Sequence, residues 1–163
     1  MQIRKGFTLV ELIIVICLLA VIAAIAGLNL HAYTLNRNLK SAARDIASDF
    51  AVCKERAVSE NATYQINFNV AGTASSYTIE KVGDATTLVT KRPKEFGPDI
   101  SITNANFAGG QQLNFLARGT VAPLTPPPVT PVDNSVVLGN SRNSTATVTI
   151  TMTGRTYVTF TIK

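Results

Sequence analysis

The sequence predicts an α+β protein in which a long N-terminal helix packs on a C-terminal domain of antiparallel β-strands. Three observations carry this reading. Residues 7–30 are almost continuously apolar, and Glu11 is the only acidic or basic residue among them. Apolar residues then recur at spacings of three and four from Leu35 to Ala57, and no proline occurs before Pro93. After Asn61 the period drops to two, in segments rich in Val, Ile, Thr, Phe and Tyr.

The first six residues, MQIRKG, are polar and basic, with Arg4 and Lys5 beside Gly6. The apolar run that follows holds about 24 residues, or about 36 Å of helix, enough to cross a bilayer with some tilt. It admits three readings. As a cleaved signal peptide it would be cut near Ala24-Ile25-Ala26. As a plain signal anchor it would stay in the membrane uncut. Both leave Glu11 unexplained, since an unpartnered carboxylate in lipid costs a few kcal/mol even on lenient scales. A third reading gives Glu11 a cationic partner whose pairing sets the register between helices, as buried polar groups do in coiled coils. Charge alone leaves the orientation open, because Arg4 and Lys5 on one side are matched by Arg37, Lys40 and Arg44 on the other.

The string Lys5-Gly6-Phe7-Thr8-Leu9-Val10-Glu11-Leu12 resembles the K-G-F-T-L-x-E-L signature of type IV pilins and type II secretion pseudopilins. The resemblance implies cleavage between Gly6 and Phe7 by a prepilin peptidase and methylation of the new Phe7 amine. It implies that Glu11 serves assembly, facing a neighbour's amine. It implies a single-pass protein of the bacterial inner membrane with its C-terminal domain in the periplasm. The implied partners are other pilins or pseudopilins in a filament, the peptidase and an inner-membrane assembly platform. The expected organisation is a leader at 1–6, a transmembrane and assembly helix at 7–30, an amphipathic spine at 31–60 and a β-rich domain at 61–163.

The helix is expected to run from about Phe7 to Ser59, roughly 80 Å. Leu35, Leu39, Ala42, Ile46, Phe50, Cys53 and Ala57 would line its buried face, with Gly27 and Asn29 as a local weak point. Cys17 and Cys53 lie too far apart on one helix, about 54 Å, to form a disulfide. Beyond the helix, strands are expected at Tyr64–Val70, Tyr77–Val82, Thr87–Lys91, Ile100–Thr103, Gln112–Leu116 and Ser135–Leu138. A final hairpin is expected from Ala146–Thr151 and Tyr157–Ile162, turning at Thr153-Gly154, with Val158, Phe160 and Ile162 facing the helix. The proline-rich stretch 123–131 reads as a stiff exposed loop.

The C-terminal half resembles the GspH/FimT branch of the same family. The residues that carry it are Phe115-Leu116-Ala117-Arg118-Gly119-Thr120, then Thr147-Val148-Thr149-Ile150, then Thr153-Gly154-Arg155. That likeness implies a minor pseudopilin that initiates or caps the periplasmic pseudopilus for protein export. The alternative is a minor pilin of a type IV pilus, where some relatives bind DNA. Candidate DNA contacts are Arg118, Arg142 and Arg155, near the hairpin end, with Lys163. The formal charge of +5 is scattered, and falls to +3 without Arg4 and Lys5, so nucleic acid is not the expected partner. Lys91, Arg92 and Lys94 read as a solvated edge. No enzyme activity, cofactor or metal is expected. His31 is the lone histidine, the two cysteines lack metal-ligand spacing, and neither a Walker loop nor a Gly-x-Ser-x-Gly elbow occurs.

Overall fold

The computed structural model describes residues 8–84, 87–107, 110–122 and 134–163, with the side chains of 25–30 excepted. The chain divides into two compact units, Met1–Thr34 and Leu35–Lys163. One helix, α1 (Leu9–Ser59), contributes to both. In the first unit it begins at Thr8, whose Oγ1 accepts the Glu11 backbone N–H at 3.2 Å. A threonine before the first helical residue with a glutamate three positions on is a helix-start pairing, because it satisfies one of the otherwise orphaned first-turn donors. Backbone at Gly27 and Asn29 is helical.

In the second unit, α1 buries the face expected from its spacing. Leu39, Ala42, Ala43, Ile46, Phe50, Cys53 and Ala57 are buried, while Leu35 is half-buried. Eight strands follow among the described residues: β1 (Tyr64–Asn69), β2 (Ser76–Lys81), β3 (Thr87–Lys91), β4 (Ser101–Asn106), β5 (Gln112–Phe115), β6 (Ser135–Gly139), β7 (Thr145–Ile150) and β8 (Thr156–Thr161). They form two four-stranded antiparallel sheets, ordered β3-β2-β1-β5 and β4-β6-β7-β8. In β1, β2, β5 and β7 the alternation expected from the sequence appears as strict alternation of buried and half-exposed residues over most of each strand. Both sheets contribute to a single cluster of buried residues with α1. Its centre is aromatic: the Phe50 ring lies 6.2 Å from Phe68, 6.3 Å from Phe107 and 6.2 Å from Phe115, edge-on or tilted.

Several expectations shift. Leu116 falls outside β5, where the chain turns. On β8, Val158 and Phe160 pack against the core, but Ile162 lies beyond the strand and is exposed. A short 3-10 turn, Gly72–Ala74, joins β1 to β2. The proline-rich stretch 123–131 lies outside the described residues, as do Gly6 and Phe7.

Candidate functional site

The N-terminal site is built on the first turns of α1. Glu11 is exposed and sits in the first helical turn, where a carboxylate complements the positive end of the helix dipole. The apolar side chains from Leu9 to Ile22 point outward on every side, with large residues between 44% and 74% exposed. Cys17 is among the exposed residues and is a free thiol. No helix among the described residues is long and apolar enough to cross a membrane. The expected span 7–30 lies only partly within them, since Phe7 and the side chains of 25–30 are not included.

The second candidate site, the end of the final hairpin, is a junction of two glycine turns and a lysine. Gly119 and Gly154 adopt positive φ, +77° and +75°, which side-chain-bearing residues rarely do. A Cβ on Gly154 would stand 2.9 Å from the Gly119 carbonyl oxygen and 3.0 Å from the Lys54 side chain. Lys54, reaching over from α1, donates from Nζ to the carbonyls of Thr153 at 3.1 Å and Gly154 at 3.4 Å. Val121 N–H bonds the Met152 carbonyl and joins the two turns. The sequence marked the glycines but not Lys54, because nothing local distinguishes it from a solvated helical lysine.

This junction brings Arg118 and Arg155 to one end of the domain and leaves Arg142 out. Arg118 Nε donates to Thr120 Oγ1 at 2.9 Å, and the Arg155 guanidinium lies 5.6 Å from the centre of the Tyr157 ring. Arg142 sits at the opposite end of β7, beside Thr145 rather than Ile150, and donates to the Lys163 carbonyl. The length of β7 separates them by about 17 Å. The expected grouping of Arg142 with the hairpin tip is therefore corrected: Arg142 lies beside the C-terminal residue Lys163, at the other end of β7 from Arg155.

A polar cluster that the sequence did not reveal ties α1 to β2 and β3. Lys91 Nζ lies 2.9 Å from both Asp45 and Asp49, and the Tyr77 hydroxyl donates to Asp49 Oδ2 at 2.6 Å. Lys91 is thus an ion-pairing residue and not part of a solvated edge, while Arg92 and Lys94 are exposed as expected. Burial acts to lower the Lys91 pKa, but the hydrogen bonds and charges of Asp49 and Asp45 outweigh it and the net direction is up. Burial, reinforced by Asp49, pushes the Tyr77 hydroxyl up. Burial and the Asp49 charge push the neighbouring Cys53 thiol up to about 12, which makes it an unreactive core residue. Among the described residues no three His, Cys, Asp or Glu side chains are placed to share a metal ion.

With this geometry in place, comparison with known proteins gives a coherent class. The family described as the prokaryotic N-terminal methylation motif matches residues 1–27. A search of curated proteins gives no match. Among solved structures, the chain is similar to the type IV minor pilin FimU of Pseudomonas aeruginosa PAO1, with 18% identity and a TM-score of 0.56 over 78% of this chain and 92% of that one. It is also similar to the minor pseudopilin EpsH from the type 2 secretion system of Vibrio cholerae, with 13% identity and a TM-score of 0.51 over 76% of this chain and 97% of that one. The chain thus joins an N-terminal methylation motif at residues 1–27 to the fold of these two structures. That fold is common to one minor pilin and one minor pseudopilin.

Proposed function

We propose that the chain is a minor pseudopilin of a type II secretion system, a structural subunit that initiates or caps a periplasmic filament for protein export. The precursor is cut after Gly6 by a prepilin peptidase, Phe7 becomes the methylated N-terminus, and the apolar helix anchors the subunit in the inner membrane with the β domain outside it. In the assembling filament Glu11 pairs with the Phe7 amine of a neighbour. An assembly platform in the inner membrane receives the subunit.

The observation that carries this reading is the joining of a methylation motif to a helix whose apolar side chains are exposed on all sides. A surface of that extent has no beneficiary within its own unit and fits burial in lipid and then against other helices. The wide separation of Arg142 from Arg155 argues against a DNA-binding tip and favours secretion. The likeness to FimU favours the second reading, a minor pilin of a type IV pilus.

Two measurements test the proposal. Mass spectrometry of the membrane-extracted protein should find a chain starting at N-methylated Phe7, and Gly6→Val should accumulate as uncut precursor. A mature start at Gly27 would overturn it in favour of an ordinary signal peptide. Deleting the gene should abolish export of secreted enzymes and leave surface pili intact; loss of pili with normal export would establish the second reading.

A further inference from the structure

The side of α1 that faces the core is occupied, and a second side carries an equally regular pattern that the rest of the domain touches at Lys40, Ala47, Lys54 and Val58 and leaves open at Arg37, Arg44 and Ala51. Arg37, Arg44, Ala51 and Val58 follow at intervals of seven, and Lys40, Ala47 and Lys54 interleave with them. The combined row alternates steps of three and four, the spacing by which one helix seats another. At about 100° per residue the row lies roughly 120° around the helix from the core-facing residues, and of its members only Ala47 also packs against the core.

The row has two halves of different chemistry. Its first half is cationic. Arg37 and Arg44 are exposed and in no ion pair among the described residues, and Lys40 lies 5.8 Å from the centre of the Phe160 ring. Its second half is mostly apolar, with Lys54 in the row and Glu55 and Ser59 beside it on the groove. Ala47, Ala51 and Val58 form one wall of a groove of about 550 Å³, and Gly154 and Thr156 contribute to the other. The Lys54 stem lies in the groove, but its ammonium is turned to the Thr153 and Gly154 carbonyls. Val58 is 53% exposed. Two alanines one turn apart let a second backbone approach closely, because they put no bulk between the helices.

We propose that this row is a docking seam for an α-helix of a different protein. The incoming helix carries Asp or Glu where it meets Arg37, Lys40 and Arg44, and apolar side chains where it meets Ala47, Ala51 and Val58. Charge selects a different protein over a second copy. A parallel copy would set the three cations against their own kind, and an antiparallel copy would bring Ala51, Lys54 and Val58 opposite them. Neither supplies a row of acids: Asp45 and Asp49 are already held by Lys91, and Glu55, which lines the groove, offers a single carboxylate against three cations. The surface belongs wholly to the unit Leu35–Lys163, and the proposal stands independently of processing at Gly6.

The test uses the full chain in nanodiscs of zwitterionic lipid and a fluorescent synthetic helix of about four heptads, with Glu in two heptads and Leu and Ala in the others. The same peptide with Lys for Glu, and one with a central proline, are the controls. Fluorescence anisotropy should give at least about tenfold tighter binding for the Glu peptide than for either control, a difference of about 1.4 kcal/mol. Ala51→Trp, which fills the groove, should weaken binding at least about tenfold, and Arg37→Glu with Arg44→Glu should transfer the preference to the Lys peptide. If Ala51→Trp lowers the melting temperature, Val58→Glu replaces it at the exposed end of the same wall. Equal binding of Glu and Lys peptides would overturn the proposal, and so would equal binding of the proline peptide. Self-association of the peptide-free chain that Ala51→Trp abolishes would assign the seam to a second copy instead. Loss of the Glu peptide when phosphatidylglycerol is added to the nanodisc, at constant ionic strength, would assign the cations to the lipid surface.

Discussion

Leu18 and Leu39 are the same side chain on the same helix, yet Leu18 is 60% exposed and Leu39 is fully buried. Around Leu39 the helix is amphipathic, and its apolar stripe is covered by two sheets. Around Leu18 every side is apolar and none is covered by the protein's own described residues. The contrast separates two reasons for a residue to be apolar. In the Leu35–Ser59 stretch apolarity stabilises the fold of this chain. In the Leu9–Ala24 stretch it buries nothing against the described residues.

Substitutions that remove equal bulk from the two stretches should sharpen that contrast most. Phe50 meets three other rings from the centre of the buried face. Phe50→Ala should cost about 3–5 kcal/mol, the range for a large aromatic removed from a close-packed core. Leu18→Ala should change the stability of the β domain by less than about 0.5 kcal/mol. Chemical denaturation of the two variants in the same detergent checks this, and comparable losses would break the comparison.

The polar tie between α1 and β3 comes next. Lys91→Met would leave Asp45 and Asp49 facing each other across a partly buried gap, at a cost of about 1–3 kcal/mol. The pH dependence follows from the directions of the shifts. Cys53, Tyr77 and Lys91 all hold their protons to higher pH when folded. The unfolded chain therefore releases protons first as pH rises, and stability must fall. The Cys53 part of this loss should begin near pH 9, the ordinary value of the thiol, and finish near 12. Thermal melts between neutral pH and pH 11 should show the decline, and Cys53→Ala should start it later. A flat profile in the parent protein would contradict the burial assigned to Cys53.

What the sequence made legible follows the range of the forces involved. Strand positions were legible because alternation is written residue by residue, and all eight segments lie within a few residues of expectation. The division into two sheets was not, because a period of two says that one face is buried without saying against which partner. β1, for example, takes β5 as a neighbour across a long stretch of chain, pairing Tyr64 with Phe115 and Asn67 with Gln112. The same limit hid the lysine tie, since Asp49 and Lys91 look like ordinary charged residues until helix and edge strand meet. It also misplaced Arg142, which is thirteen positions from Arg155 but at the far end of β7. The Lys5–Leu12 signature, by contrast, is contiguous and reads without any knowledge of the fold.

The hairpin junction offers a finer comparison, between two glycines of positive φ in different surroundings. Gly72, at +54°, has no atom within 4 Å of where a Cβ would stand, whereas at Gly154 that position is 2.9 Å from the Gly119 carbonyl. Gly72→Ala should cost only the strain of the left-handed backbone, about 1 kcal/mol, and Gly154→Ala about 1–2 kcal/mol more for the steric clash. Equal costs would show that the Gly119 turn yields easily, and that Lys54 rather than close packing holds the two turns together.

The smallest expected effect on stability, and the most informative about the exposed stretch, belongs to Glu11. Two roles compete for it. In the first turn of α1, with Thr8 at the helix start, it complements the dipole for about 0.3–1 kcal/mol. In the proposed filament it pairs with a neighbour's amine, which requires its charge. Glu11→Gln separates the two, because glutamine can replace glutamate in the helix-start pairing but cannot form the ion pair. Glu11→Leu removes both while making the segment more apolar, so insertion into the membrane should be retained in both variants. The stability of the β domain should be the same in parent, Glu11→Gln and Glu11→Leu to within about 0.5 kcal/mol. Incorporation into filaments, measured by immunoblotting sheared filament fractions, should fall sharply and equally in both. Normal incorporation of the glutamine variant with failure of the leucine variant would restrict Glu11 to its local role at the helix start. Normal incorporation of both would remove it from assembly altogether.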